Sequence, residues 1–179
     1  MITYSIGESN SELAIALFGL LSQTGTEYEG LDRGCLPVPC SDEKKLRDEI
    51  RYLKAFAIHY ASCVILGASR EGVELRTEFM RLWDRAASTS AADRQSYNEF
   101  FERIERYGRL AGADTSAPRA LAIERISEEF AKLLDPGSDP STLSRWASCA
   151  STHFTGTCNA VAQTLKLTAE GRTLQGMAL

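Results

Sequence analysis

Each of the two histidines in this 179-residue chain lies four residues from a cysteine, as His59-Tyr-Ala-Ser-Cys63 and Cys149-Ala-Ser-Thr-His153. Positions i and i+4 of an α-helix share a face, so each pair can present one imidazole and one thiolate in the same direction. Zinc takes four such nitrogen and sulfur ligands in a closed tetrahedral site. His59, Cys63, Cys149 and His153 are therefore a candidate zinc or redox-sensing set, provided that two helices turn the pairs toward each other. With all four ligands from protein, such a site has little room for substrate and reads as structural or sensory. The plainer alternative is that both histidines are satisfied side chains and that the cysteines pack as small hydrophobes.

Other chemistry has weaker support. His59 next to Cys63 has the residue types of a nucleophile and its base, but neighbours on one buried helix give a substrate poor access. Cys35-Leu-Pro-Val-Pro-Cys40 lacks the Cys-x-x-Cys spacing of redox and zinc-ribbon motifs. The residues three before the histidines are Phe56 and Ala150, which excludes the Glu-x-x-His pairs of di-iron bundles. No His-Glu-x-x-His, phosphate-cradling glycine loop or Gly-x-Ser-x-Gly occurs. The reading leans away from an enzyme, with no cofactor expected unless zinc occupies the Cys/His set.

Composition sets the class. With 44% hydrophobic and 25% charged residues, the chain can bury the core of one ordinary globular domain, residues 1–179. A net charge of −4 argues against a nucleic-acid surface, which needs clustered Lys and Arg. The apolar runs 13–21 and 55–68 fall short of the roughly 20 residues of a membrane span. Glu8 and Glu12 precede or enter the first run and no base appears before Arg33, unlike a secretory signal. Five cysteines, an odd number, fit reduced thiols and a cytoplasmic location better than a disulfide framework.

The elements that would position these residues read as helices, giving an all-α single-domain bundle of six or seven. Residues 1–9 are extended or frayed, Ser9 to Ser11 offer caps, and a helix through about Ser22 is apolar on nearly every face. Residues 22–41, with three glycines and two prolines, form a long loop. A second helix, capped at Ser41, shows a bundle seam at Leu46, Ile50, Leu53, Ala57, Tyr60 and Val64. A third helix near 70–87 carries Leu75, Phe79, Leu82 and Ala86 with Trp83 beside them. A fourth, about 91–111, carries Tyr97, Phe101, Ile104 and Ala111 inward, and outward the i,i+4 pairs Glu99/Arg103, Glu102/Arg106 and Glu105/Arg109. A fifth, about 118–134, carries Ala122, Ile126, Phe130 and Leu133. The last segment, from Ser141, has no charge between Trp146 and Leu165 and is expected to divide or kink at Gly156, with 168–179 frayed.

The core expected from this pattern is Leu17, Leu20, Leu53, Tyr60, Val64, Phe79, Trp83, Phe101, Ile104, Ile126, Phe130 and Trp146. Functionally, residues 1–32 contain five acids and no base around a nearly all-apolar helix. The expectation is a non-catalytic interaction or regulatory module. It would bind a protein partner, or a second copy as a homodimer, through Leu13, Leu17, Phe18 and Leu21 of the first helix and Tyr28 and Leu36 of the 22–41 loop.

Overall fold

The computed structural model describes residues 10–21, 42–87, 91–112 and 119–177, and these contain six helices and no strand. The helices are α1 (10–21), α2 (Glu43–Leu66), α3 (Arg70–Ala87), α4 (Ala91–Gly112), α5 (Arg119–Leu134) and α6 (Pro140–Met177). The protein is an all-α helical bundle. No helix of the described residues is long and apolar enough to cross a membrane. The expected extended segment 1–9 and the 22–41 loop lie outside the described residues.

Local chemistry sets the helix ends. Asp42, one residue after the expected cap, accepts from the Lys45 amide at 2.9 Å and satisfies one of the free donors at the start of α2. Gly67 ends α2 with φ +58, a conformation that a side chain would strain, and its N–H bonds the Cys63 carbonyl at 3.0 Å. A Cβ on Gly72 would stand 2.9 Å from the Leu66 Cβ, so glycine there lets α3 fold back against α2. Asp139 caps α6, accepting from the Ser141 and Thr142 amides at 2.9 and 3.2 Å, with Pro140 in the first turn where a missing N–H costs nothing.

α2 is the central helix. Tyr52 through Ile58 are seven consecutive buried residues, which is possible only when neighbours cover the helix on every side. The expected seam holds through Tyr60, which is partly buried, but Val64 is 55% exposed because the end of α2 extends past its neighbours. Against α2 lies α6, whose Trp146, Ala150, Phe154, Cys158, Val161 and Leu165 are all buried. Phe154 sits 6.0 Å from Phe56 and 5.7 Å from Tyr60 between ring centroids, and the Cys158 thiol lies 3.7 Å from the Ala57 carbonyl. α6 runs as one helix through Gly156, with no division there, and is helical to Met177. Around Gly156 nothing comes within 4 Å of where a Cβ would be, so that position is free of packing demands and the helix simply continues.

The inward face of α4 is rotated from the expected one. Phe100 and Tyr107 are fully buried while Phe101 is 38% exposed. The Phe-Phe dipeptide satisfies two neighbouring faces in sequence, and stacking of Phe100 on Trp83 at 4.0 Å between centroids selects one of them. This rotation also redirects the charges. Arg103 leaves Glu99 and makes a bidentate pair with Glu49 of α2, its Nε 2.9 and 3.0 Å from the two carboxylate oxygens. Arg106 pairs with Glu129 of α5, and of the three expected i,i+4 pairs only Glu105/Arg109 forms, at 2.9 Å.

Candidate functional site

The Cys/His pairs were the first candidates. On α2, the Cys63 thiol lies 3.6 Å from His59 Nε2, so the i+4 spacing does bring these two groups together. Burial, helped by the charge of Arg76 on α3, holds the imidazole below its ordinary value of 6.5 and therefore neutral. His59 Nδ1 is buried without a hydrogen-bond partner, and so is one guanidinium nitrogen of Arg76. A nucleophile needs a base that is itself oriented by a third group, and Nδ1 has none.

Cys149 and His153 lie elsewhere. His153 borders a cavity of about 140 Å³ together with Leu20 of α1, Lys54 of α2 and Gly156, while His59 feels Arg76 on α3. The two imidazoles thus have different neighbours, α1 and α2 beside His153 and α3 beside His59. Burial alone pushes the Cys149 thiol up, away from the thiolate a metal would require. Among the described residues no group of three or more His, Cys, Asp or Glu is placed to hold a metal ion. The zinc set His59, Cys63, Cys149 and His153 therefore does not assemble, because sequence spacing aligns residues on one helix but does not set the rotation of a second.

The expected partner surface on α1 is also corrected. Leu13, Leu17 and Leu21 are 8%, 0% and 3% exposed and belong to the core. Phe18 packs edge-on against Phe79 and Trp83 of α3 at 6.1 and 6.0 Å. An apolar helix of this kind satisfies its faces within its own bundle, and what it leaves outside is Glu12, Ile15 and Ala16. Tyr28 and Leu36 lie outside the described residues.

A groove of about 810 Å³ runs along the α5–α6 hairpin. α5 contributes Ala120, Ile123, Ser127 and Ala131, and α6 contributes Leu143, Ala147, Ser151 and Thr155, at the three- and four-residue spacing by which a helix meets a neighbour. Small side chains on both helices leave the trough unfilled. It is about 20 Å long at 1.5 Å of rise per residue. Glu124 and Glu128 stand exposed along the α5 rim and form no ion pair among the described residues, whereas the α6 rim is hydroxylic, with Ser144 and Ser148.

The floor carries an unsatisfied group. Ser127 is 3% exposed and its hydroxyl has no hydrogen-bond partner. Elsewhere in the bundle Ser62, Thr77, Thr152, Thr157 and Thr164 each donate to the carbonyl four residues earlier, the usual outlet for a hydroxyl in a helix. Ser127 does not use that outlet. A buried hydroxyl without a partner costs roughly 1–3 kcal/mol, and this one is closed off beneath the groove.

Sequence reasoning passed over this site. The signal present was the recurrence of Ser144, Ser148, Ser151 and Thr155 along a charge-free helix, together with Ala120, Ser127 and Ala131 on α5. Those residues also suit a face closely covered by another helix, and nothing in the sequence distinguishes a covered face from an open one. Compared with family models, curated proteins and solved structures, the chain matches none of them.

Proposed function

We propose that this protein is a non-catalytic interaction module and that its partner seats in the α5–α6 groove, not on the apolar face of α1. The observation that carries the reading is the open trough of about 810 Å³, lined at helical spacing by small side chains from both α5 and α6. The trough follows two helix seams and covers an occupant on one side only. A small molecule is usually enclosed on most of its surface, whereas a helix laid between two others is contacted along one stripe. The partner is therefore a helical segment of a protein. The free thiols of Cys63, Cys149 and Cys158 suit a reducing compartment such as the cytoplasm.

The test is a titration of the isotope-labelled full chain with an uncharged, Ala/Leu-rich helical peptide of 16 residues, followed by amide chemical shifts. Shifts should gather at Ser127, Ala131, Ala147, Ser148 and Ser151, and Ser148→Trp, which fills the trough from its exposed rim, should weaken binding at least tenfold. Shifts gathered on α1 or α3, or a Ser148→Trp chain that binds as before, would sink the proposal.

A further inference from the structure

We infer that the occupant is a basic amphipathic helix of about four turns, with small or aliphatic residues on its seam; this rests on the α5–α6 groove being the seat. Three features of the trough specify it. The first is length: the lining runs from Ala120 to Lys132 on α5 and from Pro140 to Thr155 on α6, which a helix of about 13–16 residues matches at 1.5 Å per residue. The second is the floor. Ala131, Ala147 and Ser151 are small enough for a helix backbone to approach closely, so the facing stripe takes Ala or Leu and not aromatic anchors.

The third feature is charge. Glu124 and Glu128 are one helical turn apart on the same rim, exposed and without a cation among the described residues. The i,i+4 spacing that makes them repel each other presents two carboxylates to one flank of the trough, so Lys or Arg on that flank of the occupant relieves the repulsion and gains two ion pairs. Lys132 sits at the end of the same rim, where it would face an acidic residue near one terminus of the occupant. The polarity of the occupant follows: bases beside Glu124 and Glu128, and neutral residues beside the hydroxyls of Ser144 and Ser148.

The experiment uses the full chain and two fluorescent 16-residue helical peptides with an identical Ala/Leu seam, one carrying Lys/Arg and the other Glu on the flank. Anisotropy at low salt should give the basic peptide at least tenfold tighter binding, and the advantage should shrink at 0.5 M salt. The exposed double variant Glu124→Lys/Glu128→Lys should reverse the order of the two peptides. Equal binding of the two charged peptides, or preference for the acidic one, overturns the inference while leaving the seat intact. Binding that Ser148→Trp does not weaken overturns the seat as well, and failure of both peptides to bind overturns the inference even if the uncharged peptide binds.

Discussion

The two sides of α6 have nearly the same composition and opposite fates. Both are charge-free from Trp146 to Leu165 and rich in Ala, Ser, Thr and Cys. On the buried side, Trp146, Phe154, Val161 and Leu165 interrupt the small residues at helical spacing, and Phe154 meets Phe56 and Tyr60 of α2. On the side facing outward with α5, every turn offers only Ser, Thr or Ala and an open trough remains. Absence of charge thus permits burial without causing it. What decides is whether a large side chain recurs on the same face to fill the space between helices.

The widest separation between the two sides should come from truncating the filled one. Phe154→Ala removes a fully buried ring lodged between Phe56 and Tyr60 and should cost about 3–5 kcal/mol in urea unfolding, whereas Ser151→Ala on the trough side should stay within about 0.5 kcal/mol. A Phe154→Ala loss below about 1 kcal/mol would mean the α2–α6 contact is not the core. Next in size is the ion pair between α2 and α4. Glu49 is 3% exposed, so Glu49→Ala strands the Arg103 guanidinium and should cost roughly 3 kcal/mol, while the exposed pair Glu105/Arg109 should contribute no more than about 0.5 kcal/mol in a double-mutant cycle.

The trough predicts a gain. Ser127→Ala removes a buried hydroxyl that has no partner and should leave the melting temperature unchanged or raise stability by about 1 kcal/mol, while Ser62→Ala, which removes a hydroxyl bonded to the Ile58 carbonyl at 2.8 Å, should be destabilising. If both substitutions destabilise equally, Ser127 is satisfied in solution. The smallest effect is on pH dependence. His59 has a folded value below its ordinary 6.5, so between the two values the unfolded chain binds more protons and stability falls as pH drops below about 6.5. In His59→Gln, melting temperatures measured from pH 7.5 to 5 should lose that part of the decline; an unchanged profile would show that His59 is not buried as a neutral imidazole.

Legibility in the sequence followed the strength of periodicity. The α2 seam from Leu46 to Tyr60 and the α5 stripe Ala122, Ile126 and Phe130 were readable because large apolar residues recur at three and four with charges between them. α4 was readable as a helix but not in its rotation, because Phe100 and Phe101 serve faces 100° apart and only the stack on Trp83 chooses. Leu13, Leu17 and Leu21 were legible as apolar but not as covered; they lie in the core, and beside them Phe18 packs on Phe79 and Trp83 of α3. The candidate site was the least legible part, since a trough consists of what two helices fail to fill.

By itself the sequence determined that the chain is helical, where α2, α3 and α5 run, and that His59 and Cys63 lie within reach of each other, because all of these depend on contacts within a few residues along one helix. The tertiary structure decided that Cys149 and His153 do not join that pair in a group able to hold a metal, that Arg103 and Arg106 cross to other helices, and that Ser127 lies buried beneath an open groove. Each of these depends on the rotation of one helix about its axis relative to another, which the packing of large side chains at the interface fixes and local spacing leaves free.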